Sequence, residues 1–150
     1  MERTKIYIDK LKKNDLKATN ERIEMIKLFL NHPDEHFSIE DIETMCRNIG
    51  TATIYRNVKN FKKCSIIDKV ASDDGRNFYT LSNEGSHSRT YLVCSECGRI
   101  IDYKGSGLAH MNEKIKLKYG FEVSDICCEV YGCCSECRKS KSLKIVGGAI

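Results

Sequence analysis

What this 150-residue chain lacks narrows its function before any motif is read. No apolar run approaches the roughly 18 residues that span a bilayer, so no membrane role is expected. The opening Met1-Glu2-Arg3-Thr4-Lys5 is charged and amphipathic rather than leader-like, which points to the cytoplasm. Histidine is scarce: only His32, His36, His87 and His110 occur, and none sits in a nucleophile–base motif, so an enzyme is not expected. The chain has no low-complexity segment and no repeat beyond two cysteine pairs. Its net charge of +4 permits nucleic-acid binding without showing it, so the distribution of charge has to decide.

Cysteine, by contrast, is abundant. Nine thiols are an odd number, and in a reducing cytosol they bind metal more readily than they pair. Four of them form two Cys-x-x-Cys pairs in a shared frame, Cys94-Ser-Glu-Cys97-Gly and Cys134-Ser-Glu-Cys137-Arg. Two intervening residues let a tight turn aim both sulfurs at one point, and two such turns close a tetrahedron around zinc. A lone pair would equally suit a redox dithiol. Two pairs in a small chain with no thioredoxin-like βαβ pattern favour a closed, structural Zn2+ site. The chain length gives one domain or two small ones, and small domains often need such a metal.

The two halves of the chain differ in kind. Residues 1–65 read as helices: an amphipathic opening stretch with Ile6, Ile8, Leu11 and Leu16 as its apolar side among lysines, then a helix capped by Thr19 and ended by His32-Pro33. A third helix starts at the Ser38/Asp41 capping box, with Ile39, Ile42, Met45, Cys46 and Ile49 at helical spacing. After Gly50 a fourth, capped by Thr51, buries Ile54, Val58 and Phe61. Two extended runs, 66–70 and 77–81, then flank an Asp-Gly turn. Helices followed by a hairpin make a winged helix-turn-helix. Beyond it, strands are expected at 90–94, 99–103 and 121–131, with a helix over 107–119 stopped by Gly120. The fold class is therefore α+β: a winged-helix domain over 1–82, a linker over 83–86 and a zinc-binding domain over 87–150.

The fourth helix carries the case for DNA. Its outer face holds Thr51, Thr53, Tyr55, Arg56, Lys59 and Asn60, side chains suited to thymine methyls, base edges and phosphates. Such a polar face on an isolated helix would read as merely solvated. The hairpin after it, with Lys69 and Arg76 in a wing position, and Lys12, Lys13 and Lys17 upstream shift the reading to double-stranded DNA.

Four motifs in order, Leu16-Lys17-Ala18-Thr19-x-x-Arg22, Thr51-Ala52-Thr53-Ile54-Tyr55-Arg56, Tyr91-Leu92-Val93-Cys94-x-x-Cys97-Gly98 and Tyr131-Gly132-x-Cys134-x-x-Cys137, resemble the ferric uptake regulator family. The resemblance spans about residues 8–138. It implies a bacterial, homodimeric, metal- or peroxide-responsive transcription regulator, usually a repressor, on palindromic AT-rich operators. It places Lys17 near the DNA backbone or minor groove and makes Tyr55 and Arg56 the base-reading pair. It also implies a regulatory Fe2+, Mn2+ or Zn2+ site, for which His36, His87 and Asp102 are the candidates here. Two positions that hold histidine in the family are Arg89 and Tyr91 in this chain, and an arginine repels a cation. Cys127, Cys128 and Cys133 lie near the second zinc pair as candidate redox or soft-metal thiols in place of those histidines. The alternatives are a redox- or metal-handling thiol protein and a family-type regulator that has lost metal sensing.

Overall fold

The computed structural model describes residues 2–72, 74–82, 88–105, 108–124 and 126–146. The elements in order are α1 (Glu2–Lys13), α2 (Asn20–Asn31), α3 (Ile39–Met45), α4 (Thr51–Lys63), β1 (Ile67–Ala71), β2 (Asn77–Leu81), β3 (Ser88–Cys94), β4 (Ile100–Asp102), α5 (Ala109–Tyr119), β5 (Ile126–Gly132) and α6 (Ser135–Val146). This is the expected α+β class. The chain divides into two compact units, Met1–Ala71 with Arg76–Asn83, and Ser72–Gly75 with Glu84–Ile150.

In the first unit local signals start the helices. The Thr19 hydroxyl accepts the Arg22 amide at the start of α2. At α3 the Ser38 hydroxyl accepts the Asp41 amide at 3.1 Å, while the Asp41 carboxylate accepts the Ser38 amide at 2.8 Å. Gly50, not Thr51, caps α4, and no side chain helps it; Thr51 is the first helical residue. Each helix then buries one stripe: Met25, Ile26, Leu28 and Phe29 from α2, Ile42 from α3, and Ile54, Asn57, Val58 and Phe61 from α4. Met45, expected inward, is 47% exposed because α3 ends there, and Cys46 turns into the core instead. On α1 the inward residues are Tyr7 and Leu11, while Ile6 is 45% exposed. The face is turned from the expected one because Tyr7 and Leu11, four apart, meet α2 together.

β1 and β2 pair antiparallel from Ile67↔Leu81 to Ala71↔Asn77, with Gly75 in the left-handed region at φ 81°. Phe37 makes an isolated antiparallel bridge to β2, exchanging two 2.8 Å backbone hydrogen bonds with Tyr79. α3, a turn, α4 and this hairpin form a winged helix-turn-helix.

The second unit is a three-stranded sheet of order β4-β3-β5. β3 and β4 are antiparallel, but β5 runs parallel to β3, which requires the crossover that α5 supplies. Gly120, at φ 61°, is the left-handed cap that stops α5. The last strand starts at Ile126, where pairing with Ser88 begins, rather than at Phe121, which is 62% exposed. α6 follows the second cysteine pair and was not signalled by its polar sequence. Among the described residues, the buried apolar set of this unit is only Tyr91, Val93, Cys94 and Ile126. Among the described residues no helix is long and apolar enough to cross a membrane.

Candidate metal centre and nucleic-acid interface

The parallel pairing of β3 with β5 brings the two cysteine turns together. Cys94 ends β3 opposite Gly132, and the Ser95 amide extends the ladder to the Gly132 carbonyl at 2.8 Å. The first turn closes through Gly98, whose amide reaches the Cys94 carbonyl at 2.9 Å and whose φ of 74° favours glycine. The second pair sits at the start of α6, where amides point outward. The Cys134 amide donates to the Cys94 sulfur at 3.3 Å, and the Cys137 amide to the Cys134 sulfur at 3.5 Å.

All four sulfurs lie within 4.8 Å of one another, and Cys97 and Cys134 are 3.9 Å apart, with no disulfide at any described cysteine. A tetrahedron with arms of about 2.3 Å has edges of about 3.8 Å, so the quartet fits a structural zinc. Its donors are soft and part of the set is ready to ionise. The Cys94 thiol is lowered to about 6, first by the Cys134 amide and then by that of Cys97. Cys137 is pushed up, chiefly by hydrogen bonding with the Cys134 and Cys97 sulfurs. Zinc bound here would hold the two turns as one body. Among the described residues this is the one converging group of three or more such ligands.

The repeated Ser-Glu of the two turns has a structural counterpart that spacing did not reveal. Glu136, in the second turn, holds Arg99, just after the first, through two bonds of 2.9 and 2.7 Å. Glu96, in the first turn, receives Lys141 of α6 at 2.6 Å. Each turn is therefore tied to the other by an ion pair, and each pair holds its carboxyl or cation in the charged form.

The first unit presents the expected polar face of α4. Thr51, Tyr55, Arg56 and Lys59 are exposed, Tyr55 by 57%, and Thr53 is half-buried, with its hydroxyl accepting from Arg56 at 3.2 Å. A hollow beside them is lined by Tyr55, Arg56, Lys59, Lys62 and Lys69, four cations without a carboxylate. Lys62 was missed from sequence although it falls three residues after Lys59. Lys17 and Arg76 are exposed, and the Arg76 guanidinium lies 5.7 Å from the Phe78 ring centre.

The remaining regulatory-site candidates fall on separate units. His36 precedes the Phe37 bridge in the first unit, and Asp102 ends β4 in the second. His87 lies outside the described residues, as does the expected linker. Cys127 and Cys128 pair with Arg89 and Thr90 at the start of β5, whereas Cys133 follows its far end. At about 3.3 Å per residue, Cys127 and Cys133 are on the order of 20 Å apart. They form no thiol cluster.

A winged helix-turn-helix and a tetrathiolate zinc unit on one chain define a class of zinc-organised winged-helix proteins. Residues 13–131 match the ferric uptake regulator family, and the chain belongs to it. It is 30% identical over 135 residues to a ferric uptake regulation protein of Neisseria meningitidis, covering 87% of this chain and 92% of that one. The solved ferric uptake regulator from Francisella tularensis with iron is 29% identical with a TM-score of 0.68, covering 82% of this chain and 95% of that one. The Campylobacter jejuni peroxide stress regulator is 26% identical with a TM-score of 0.62, over 85% and 97%.

Proposed function

We propose that this chain is a cytoplasmic transcription regulator rather than an enzyme, acting as a repressor that binds a palindromic, AT-rich DNA operator as a zinc-organised homodimer. The carrying observation is the outer face of α4, where exposed Tyr55 and Arg56 line one hollow with Lys59, Lys62 and Lys69, side chains suited to base edges and phosphates. Lys17, Thr51, Thr53 and Arg76 complete the interface. Residues 1–82 serve as the DNA-binding domain, 83–86 as linker and 87–150 as the dimerisation domain. The open edge of β5, with Val130 50% exposed, and the bare Leu117 and Tyr119 of α5 support pairing with a second copy.

For a regulatory divalent cation, Fe2+, Mn2+ or Zn2+, the proposed ligands are His36, His87 and Asp102; the Francisella tularensis relative with iron supports such a metal in the family. A second reading, a regulator without metal sensing that relies on Cys127, Cys128 or Cys133, is favoured by one observation. Tyr91, at an expected histidine position, is packed in the sheet at 4% exposure.

Two measurements decide. Metal content per protomer should show one tightly held zinc and a second, exchangeable ion; zinc alone favours the second reading. Binding to AT-rich duplexes should fall steeply with salt, with a slope of about −0.9 per phosphate contact, and Lys59→Ala should reduce that slope by about one. Salt-independent binding, or none, removes the DNA reading.

A further inference from the structure

Arg22, in the first turn of α2, joins two segments that carry different DNA-facing side chains. Its guanidinium donates to the Lys17 carbonyl at 2.6 Å, while its Nε donates to Oδ1 of Asn57 at 3.2 Å. The same Lys17 carbonyl accepts the Thr19 amide at 3.1 Å, and the Thr19 hydroxyl caps the Arg22 amide, so the Lys17 loop closes around this residue. Asn57 is only 4% exposed and occupies the inward stripe of α4 between Ile54 and Phe61. Its amide turns to the Met25 sulfur at 3.5 Å. A buried amide in an apolar stripe costs stability unless its hydrogen bonds are met, and an aliphatic side chain at this place would avoid that cost. Packing alone therefore does not account for the asparagine.

We propose that Arg22 and Asn57 are positioning residues for DNA recognition. Through Asn57 the guanidinium fork fixes the Lys17 loop against α4, so that Lys17, Tyr55 and Arg56 meet one stretch of duplex in a single register. Arg22 itself does not contact DNA: it is half-buried and directs donors inward. Lysine keeps the charge but not the planar fork, so it does not reach both acceptors in the same geometry.

This inference rests on the DNA-binding reading above. Its test uses zinc-loaded, full-length protein with manganese(II), a duplex selected by the wild type from a random pool, and an unselected random duplex. Arg22→Lys and Asn57→Ala are each expected to weaken binding to the selected duplex by about 10- to 100-fold, the loss of a charge-assisted bond. Affinity for the random duplex and its salt slope stay unchanged, and the double variant is no worse than the worse single one.

Full affinity of either variant for the selected duplex overturns the proposal. So do additive losses, equal losses on both duplexes, which would make Arg22 a phosphate contact, and unfolding of both variants at the assay temperature, which would make the pair core structure. Failure of the wild type itself to prefer its selected duplex sinks the DNA-recognition reading instead.

Discussion

Replacing Cys94 by serine should unmake the second unit while leaving the first folded. The size of the effect follows from how little else that unit buries. Tyr91, Val93, Cys94 and Ile126, at about 1.5–3 kcal/mol each, contribute roughly 6–12 kcal/mol before chain entropy is subtracted. A structural zinc contributes about 10–16 kcal/mol, as much as or more than that apolar set. One thiolate of four, shared evenly, is about 2.5–4 kcal/mol, or two to three powers of ten in zinc affinity. The loss goes further, because the Cys94 sulfur also receives the Cys134 amide and so helps dock the start of α6. In a thermal melt the wild type should unfold in two steps, and Cys94→Ser should lose the step that chelation also removes. Size-exclusion chromatography should show monomer, and selected-duplex binding should fall although no DNA-facing residue has changed. One zinc per protomer with an intact dimer in this variant would refute the reasoning, since it would mean that the quartet does not organise the unit.

Acid should remove the metal. A thiol depressed to about 6 favours the folded state above its ordinary value near 9, an advantage lost as pH falls through about 6. Zinc occupancy, followed with a chromogenic chelator, should fall as pH is lowered because protons compete with the ion for all four sulfurs; occupancy independent of pH would contradict thiolate ligation. In the first unit, Phe61→Ala empties a fully buried site on α4 and should lower stability by about 3–5 kcal/mol in denaturant titrations without altering zinc content.

Much of the architecture was legible because its signals are local. The Ser38/Asp41 box, the Thr19 cap, the stop at Gly120 and the stripe Ile54, Val58 and Phe61 each depend on residues within two turns of one another. The zinc ligands were legible for the same reason: a two-residue spacing fixes each turn before the pairs meet. The α1 face was misread because Ile6 and Tyr7 offer similar apolar surface, and only docking on α2 chooses between them. α6 went unseen because its polar sequence carries no strong period. Cys127 and Cys128 are near the second zinc pair only in sequence, a proximity that an extended strand does not preserve.

Short-range chemistry thus determined the class of this protein: which residues turn, cap and present sulfur, and which side chains line one face of a helix. Pairings between distant segments were settled only by the tertiary structure. The parallel register of β3 with β5 sets Cys94 beside Cys134, the crossed pairs Arg99–Glu136 and Glu96–Lys141 tie the turns, and Arg22 spans from the Lys17 loop to Asn57. Each joins groups far apart along the chain or on separate elements, and sequence spacing carries no information about which partner a side chain will find once the chain folds back on itself.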